Sequence, residues 1–157
     1  MPAPTIDVFR DLITPMGERL RADERFAEIK NIVYDTDEIA FAEMPAIVYY
    51  VETPWEDIAR GSGAYSLQTR KLTARMVFTI WVYDAVSRLR MDEAMFHVGG
   101  LLLDFLRDNT DFSAVNGIGL NNRTPLVWQV ARPDTAQGFV GIHSITAEFD
   151  IYSGIGR

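Results

Sequence analysis

The segment Lys71–Asp84, KLTARMVFTIWVYD, alternates along its whole length. Leu72, Ala74, Met76, Phe78, Ile80 and Val82 fall on one side. Lys71, Thr73, Arg75, Val77, Thr79, Trp81 and Tyr83 fall on the other. A period of two predicts a strand, and the first set is an uninterrupted core face. The second set begins polar and ends aromatic, which raises the question of what covers Trp81 and Tyr83. The preceding run, MPAIVYYVET, predicts another strand that starts after Pro45 and stops at Pro54; being apolar on both sides, it suits a central position. Between these strands, Arg60–Ser66 holds two glycines and two serines without periodicity, and predicts a mobile loop tip.

A helix is predicted over SRLRMDEAMFHVGGLLLDFLRDN, with Met91, Met95, Val98, Leu102, Phe105 and Leu106 as its apolar stripe. Asp92 and Glu93 suit its first turn, Arg107 its last, and Asn109 its C-terminal cap. Gly99 and Gly100 each cost on the order of 1 kcal/mol relative to alanine, a cost offset if the helix lies close on a sheet. Near the N-terminus, Ile6, Phe9, Leu12 and Ile13 form a helical stripe with Thr5 as N-cap. Pro15 either kinks that helix or opens a second one capped by Thr14. The charges of GERLRADERFAEIK suit a solvated helix, whereas RFAEIKNIVYD reads equally as a short strand.

Two further strands follow, LVWQVARP and GFVGIHSITAEFDIYS. In the last, His143, Ile145, Ala147, Phe149 and Ile151 face one way, and Ile142, Ser144, Thr146, Glu148 and Asp150 the other. This predicts one core face and one wet face, with Glu148 and Asp150 as its acidic residues. The elements amount to an α+β fold: a mostly antiparallel four- to five-stranded sheet with helices packed on one face, in a single domain spanning 1–157.

Length and composition narrow the function. A chain of 157 residues, 48% hydrophobic, buries a core without staples. The absence of cysteine removes disulfides, thiol nucleophiles and thiolate metal sites. No run approaches the roughly 20 apolar residues of a membrane span. MPAPTIDVFRDL lacks a basic region followed by an apolar block, so a cytosolic protein is expected. The formal net charge of -7 argues against sequence-specific DNA binding.

Candidate chemistry is sparse. His97 lies beside the core stripe of the helix and His143 on the core face of the last strand, and both read as packed histidines. GIHSI lacks the glycines of a nucleophile elbow. DTDEIAFAE lacks the glycine and terminal glutamate of a calcium loop. GIGLNN precedes a strand, where a dinucleotide fingerprint follows one. No catalytic residue, metal site or cofactor is therefore assigned, and the chain is read as a non-enzyme. What remains is an interface. Arg60, Arg70, Lys71 and Arg75 gather around the loop, either as a solvated strand end or as a contact for an acidic partner or a neighbouring copy. With Gly61, Gly63, Tyr65, Val77, Trp81 and Tyr83 they form the candidate subunit or partner surface.

The order EMPAIVYYVET, polar loop, KLTARMVFTIWVYDA, a helix at MDEAMFHVGGLLLDFL and a closing GIHSITAEFDIYS strand resembles the tail terminator proteins of long-tailed bacteriophages, nearest the lambda-like minor tail protein U family. The resemblance covers roughly Pro45 to Ser153 and rests on order, length and pattern. It departs in a longer region before Pro45. It implies a late structural protein that caps the tail tube as a homohexameric ring, ends polymerisation and forms the head-tail joining surface. Its implied partners are further copies of itself, the tail tube protein and a head-tail connector or neck protein. It is expected in the host cytoplasm during assembly and at the tail-head junction of the virion. DNA passes through such a ring without specific binding, and six copies at -7 each would keep it from adhering. The alternatives are another connector or neck protein, or a small acidic ligand-binding domain or enzyme.

Overall fold

The computed structural model describes residues 5–57, 70–109, 112, 116–120 and 127–153. Its spine is β3 (Arg70–Asp84), the alternating segment, paired antiparallel over its full length with β6 (Phe139–Ser153), from Arg70 opposite Ser153 to Asp84 opposite Phe139. On its other side β3 pairs antiparallel with β2 (Ala46–Asp57). Beyond β2 lies β1 (Asn31–Tyr34), which runs parallel to it with Asn31 opposite Ala46 and Tyr34 opposite Tyr49. The far edge of β6 carries two short strands in succession. β4 (Gly117–Leu120) pairs with Phe149–Tyr152 and β5 (Val127–Ala131) with Ile142–Thr146. Among the described residues the sheet has six strands, where four or five were expected, and it is mostly antiparallel as expected but made mixed by the parallel β1–β2 pair.

The parallel pair has a structural consequence. Antiparallel neighbours close with a tight turn, but parallel ones need a crossover. Residues 35–45 make that crossover, and their apolar residues enter a second small core described below. β2 also outruns its expected stop at Pro54. A register shift between Val51 and Pro54 marks an irregularity, and pairing with β3 resumes through Asp57. β1 ends opposite Tyr49, so among the described residues no strand pairs with this part of β2 on that side, where the N–H that proline lacks is not needed for a ladder.

The main helix, α2 (Arg88–Asp108), matches its stripe: Met91, Met95, Val98, Leu102, Phe105 and Leu106 are all buried. Ser87 caps it, its Oγ accepting from Arg90 N at 3.2 Å, which moves Asp92 and Glu93 out of the first turn. Asn109 closes the other end, its N–H and Nδ2 both donating to Phe105 O. Of the two glycines inside it, Gly99 is buried, while Gly100 has open space around it. The close approach to the sheet comes instead at Gly141, where a Cβ would run into the sulfurs of Met91 and Met95.

The N-terminal helix resolves the choice at Pro15. A widened π-type turn over Phe9–Ile13 leads directly into α1 (Thr14–Ala22), and Thr14 N donates to Phe9 O, five residues back. The wider turn accommodates a residue that has no N–H and crowds the carbonyl of the preceding turn. Asp7, not Thr5, caps the first turn, with its Oδ1 accepting from Phe9 N and Arg10 N at 3.0 and 3.1 Å. Asp11 is fully buried. Its carboxylate accepts from Asp7 N at 3.0 Å, Asn116 Nδ2 at 2.9 Å and the Arg10 guanidinium. These three groups offset a charge that burial alone would make costly. Leu12, Met16 and Leu20 share one core with the α2 stripe, with Met76, Phe78 and Ile80 of β3, and with Ile145 and Phe149 of β6.

Candidate functional site

The second side of β3, which carries the interface candidates, divides into an aromatic end and a polar end. At the aromatic end the crossover supplies the missing cover. Ile39 and Met44 are buried with Ala46, Val48 and Val140, and Phe41, Trp81, Tyr83 and Ile142 pack against them. The Phe41 ring stacks on Tyr83, with centroids 4.5 Å apart and planes 5° from parallel. Tyr83 in turn donates its hydroxyl to Gln137 O at 2.6 Å. Trp81 and Tyr83 are therefore half-buried within the chain itself, covered by the crossover. The Trp81 indole N–H is buried and has no hydrogen-bond partner among the described residues.

The polar end is a set of cross-strand rungs. Thr73 Oγ1 donates to Asp150 Oδ1 at 2.8 Å, and the Tyr152 hydroxyl reaches Asp150 Oδ2 at 3.4 Å. Two rungs along, the Arg75 guanidinium donates to Glu148 Oε1 at 2.9 and 3.2 Å and lies 3.5 Å from Glu52 of β2. Glu148 and Asp150 are only 6% and 8% exposed. They do not form the wet face expected of them, because the register places Arg75 and Thr73 directly opposite, where their side chains cover the two carboxylates. The hydrogen bond that Arg75 donates to Glu148 is the main influence that raises the Arg75 pKa, with the Glu148 and Glu52 charges adding to it and desolvation opposing. Burial raises the neighbouring Tyr50 phenol, helped by Glu52 and Asp35. A guanidinium held between two carboxylates, beside a threonine bonded to a third, fixes register across β2, β3 and β6.

Val77 is buried midway between the two ends, and Lys71 is half-buried opposite Tyr152. Arg70 opens β3. Arg60, Gly61, Gly63 and Tyr65 lie outside the described residues. The structure therefore aligns Lys71, Arg75, Val77, Trp81 and Tyr83 along one face of one strand, with two kinds of local environment.

Of the histidines, His97 is exposed and His143 is fully buried. Phe96 meets the His143 ring edge-on at 5.4 Å. Burial lowers the His143 pKa, and a hydrogen bond with the Met95 backbone acts in the opposite sense. Among the described residues no three His, Asp or Glu side chains are grouped to hold a metal ion, and no helix is long and apolar enough to cross a membrane.

One surface escaped the sequence reading. Val86 and Leu89 are 79% and 67% exposed, and Phe96, Val130 and Phe139 are also exposed. The signal was present: Leu89 and Phe96 are seven residues apart, on a side of the helix offset from the Met91–Leu106 stripe. No protein-family model matches the chain, and no curated protein matches it in sequence.

Proposed function

We propose that this chain is a structural assembly protein of a long-tailed phage or prophage. In this reading it is a tail terminator that closes as a ring of six on the finished tail tube, ends polymerisation and presents the joining surface for the head. The observation that carries the reading is the order of elements around the sheet. Two long strands, β2 and β3, flank residues 58–69, and a helix and a closing strand that pairs with β3 over fifteen residues follow. This is the layout on which the resemblance to tail terminators rests. Helices covering a single face of the sheet belong to the same expectation, and the shared core of α1, α2 and the Leu72–Val82 side of β3 supports it.

The ring leaves residues 58–69 for the tube and uses the charge of -7 per copy to keep DNA from adhering in the lumen. The test is polymerisation of the tail tube protein with and without this chain. Tubes of fixed length, each ending in a six-fold ring in electron micrographs, are expected. Tubes that grow to the same length distribution with and without the chain would refute the reading.

A further inference from the structure

Five of the six large apolar residues most exposed among the described residues lie on one side of the molecule: Val86, Leu89 and Phe96 at and within the first half of α2, Val130 on β5 and Phe139 at the start of β6. Known contacts hold them together. Phe139 pairs with Asp84, two residues before Val86, and Val130 pairs with His143, on whose ring Phe96 rests. Asp92, between Leu89 and Phe96 on the helix, receives Arg132 from the end of β5 at 2.9 Å. Together these residues expose on the order of 400–500 Å² of apolar surface, within the range of functional patches. That is also about the apolar share, ~57% of ~800 Å², of one side of a standard protein interface.

The charges around this surface differ from those on the far side of the sheet. Arg88 and Arg90 flank Leu89 and are exposed, and the charge of Arg90 acts on Asp84 at the start of this turn. Asp84 is engaged in capping Val86 N and Ser87 N, and Asp92 is held by Arg132, which leaves Glu93 as the exposed acid of this turn. The 35–45 crossover, packed on the opposite side of β3, exposes Asp35, Asp37, Glu38 and Glu43, and no Lys or Arg occurs between Lys30 and Arg60.

We propose that a second copy of this chain covers the Val86, Leu89 and Phe96 surface, presenting its acidic crossover to Arg88 and Arg90. The two surfaces differ, so the contact is head-to-tail, and repetition generates either a closed ring or an open filament. This deepens the ring reading and rests on it for closure.

The test follows association by light scattering and sedimentation over a concentration series at low salt, where charge pairs are least screened. Wild type should associate. Leu89→Glu should weaken association at least about tenfold with an unchanged melting temperature, because Leu89 contributes little to the core. Arg88→Glu with Arg90→Glu, and separately Asp37→Arg with Glu38→Arg, should each weaken it, and mixing the two variants should restore hetero-association. A wild type that stays monomeric to its solubility limit, indifference to Leu89→Glu, or no rescue on mixing the charge-reversed variants would each overturn the proposal. Micrographs separate it from the ring reading. Open filaments that Leu89→Glu abolishes would keep this contact and remove the ring, whereas six-fold rings unaffected by Leu89→Glu would do the reverse.

Discussion

If the crossover is the true cover of the aromatic end of β3, removing Phe41 must cost stability. Phe41→Ala deletes a half-buried ring that stacks on Tyr83 at 4.5 Å and packs in the small core of Ile39, Met44, Val48 and Val140. Full burial of a phenylalanine contributes about 1.5–3 kcal/mol, so half burial contributes about 1. The stacked pair adds about 0.5–1.5 kcal/mol beyond area. The expected loss is about 1.5–2.5 kcal/mol, which for a domain of this size lowers the melting temperature by about 4–8 °C. Scanning calorimetry and urea titration at micromolar concentration would measure it, low enough to keep association out of the signal. Phe41→Leu serves as a control, keeping most of the apolar area while losing the stack, and should fall between the two. A change below about 1 °C for Phe41→Ala would refute the cover and return Trp81 and Tyr83 to the status of an open face.

Three further outcomes are expected. Gly100→Ala should raise stability by about 0.5–1 kcal/mol, seen as a higher urea midpoint, because the site is mid-helix and a Cβ there meets nothing within 4 Å. Thr73→Val should cost about 1–3 kcal/mol by removing the 2.8 Å donor to the buried Asp150 carboxylate, with Thr73→Ser recovering most of it. His143 should make the fold acid-sensitive. Its folded pKa lies below the ordinary value near 6.5, so below that value the unfolded chain takes up the proton more readily and stability falls as pH falls, by at most about 1.4 kcal/mol per pH unit. Melting temperatures between pH 7 and 5 should therefore fall less steeply for His143→Leu than for wild type. Asp23 and Asp84, whose folded pKa values are lowered by Arg25 and by backbone N–H groups respectively, lose their contributions only at more acid pH.

What patterning could reveal was the side on which each residue of a regular element falls. The Ala74–Val82 and His143–Ile151 sets and the α2 stripe are buried as their periods imply, with Leu72 half-buried at the strand's start. Whether the other side is covered is a different question. Nothing local in GIHSITAEFDIYS says that Glu148 and Asp150 meet Arg75 and Thr73, because those contacts are set by the register between segments more than 70 residues apart. β1 is four half-buried residues without alternation, so its parallel pairing was illegible, and with it the path of the crossover. Ile39 and Phe41 sit in a charged stretch that reads as a turn until that path is known. The candidate interface was legible as a strand face, but its division into covered aromatics and cross-strand polar pairs that bury Glu148 and Asp150 was not.

The pairing of β3 with β6 has a kinetic consequence. Arg70 meets Ser153 and Asp84 meets Phe139, contacts 83 and 55 residues apart that enclose α2, β4 and β5. The two central strands cannot zip from a turn. Their ladder must wait for a long loop to close, at an entropic cost local contacts do not repay in advance. Folding should therefore be slow for the domain's size, and until β6 arrives β3 presents the unpaired edge MVFTIWVY. That interval is when the chain is most exposed to mispairing with another copy, and a shorter delay before β6 docks should raise soluble yield without changing the final structure.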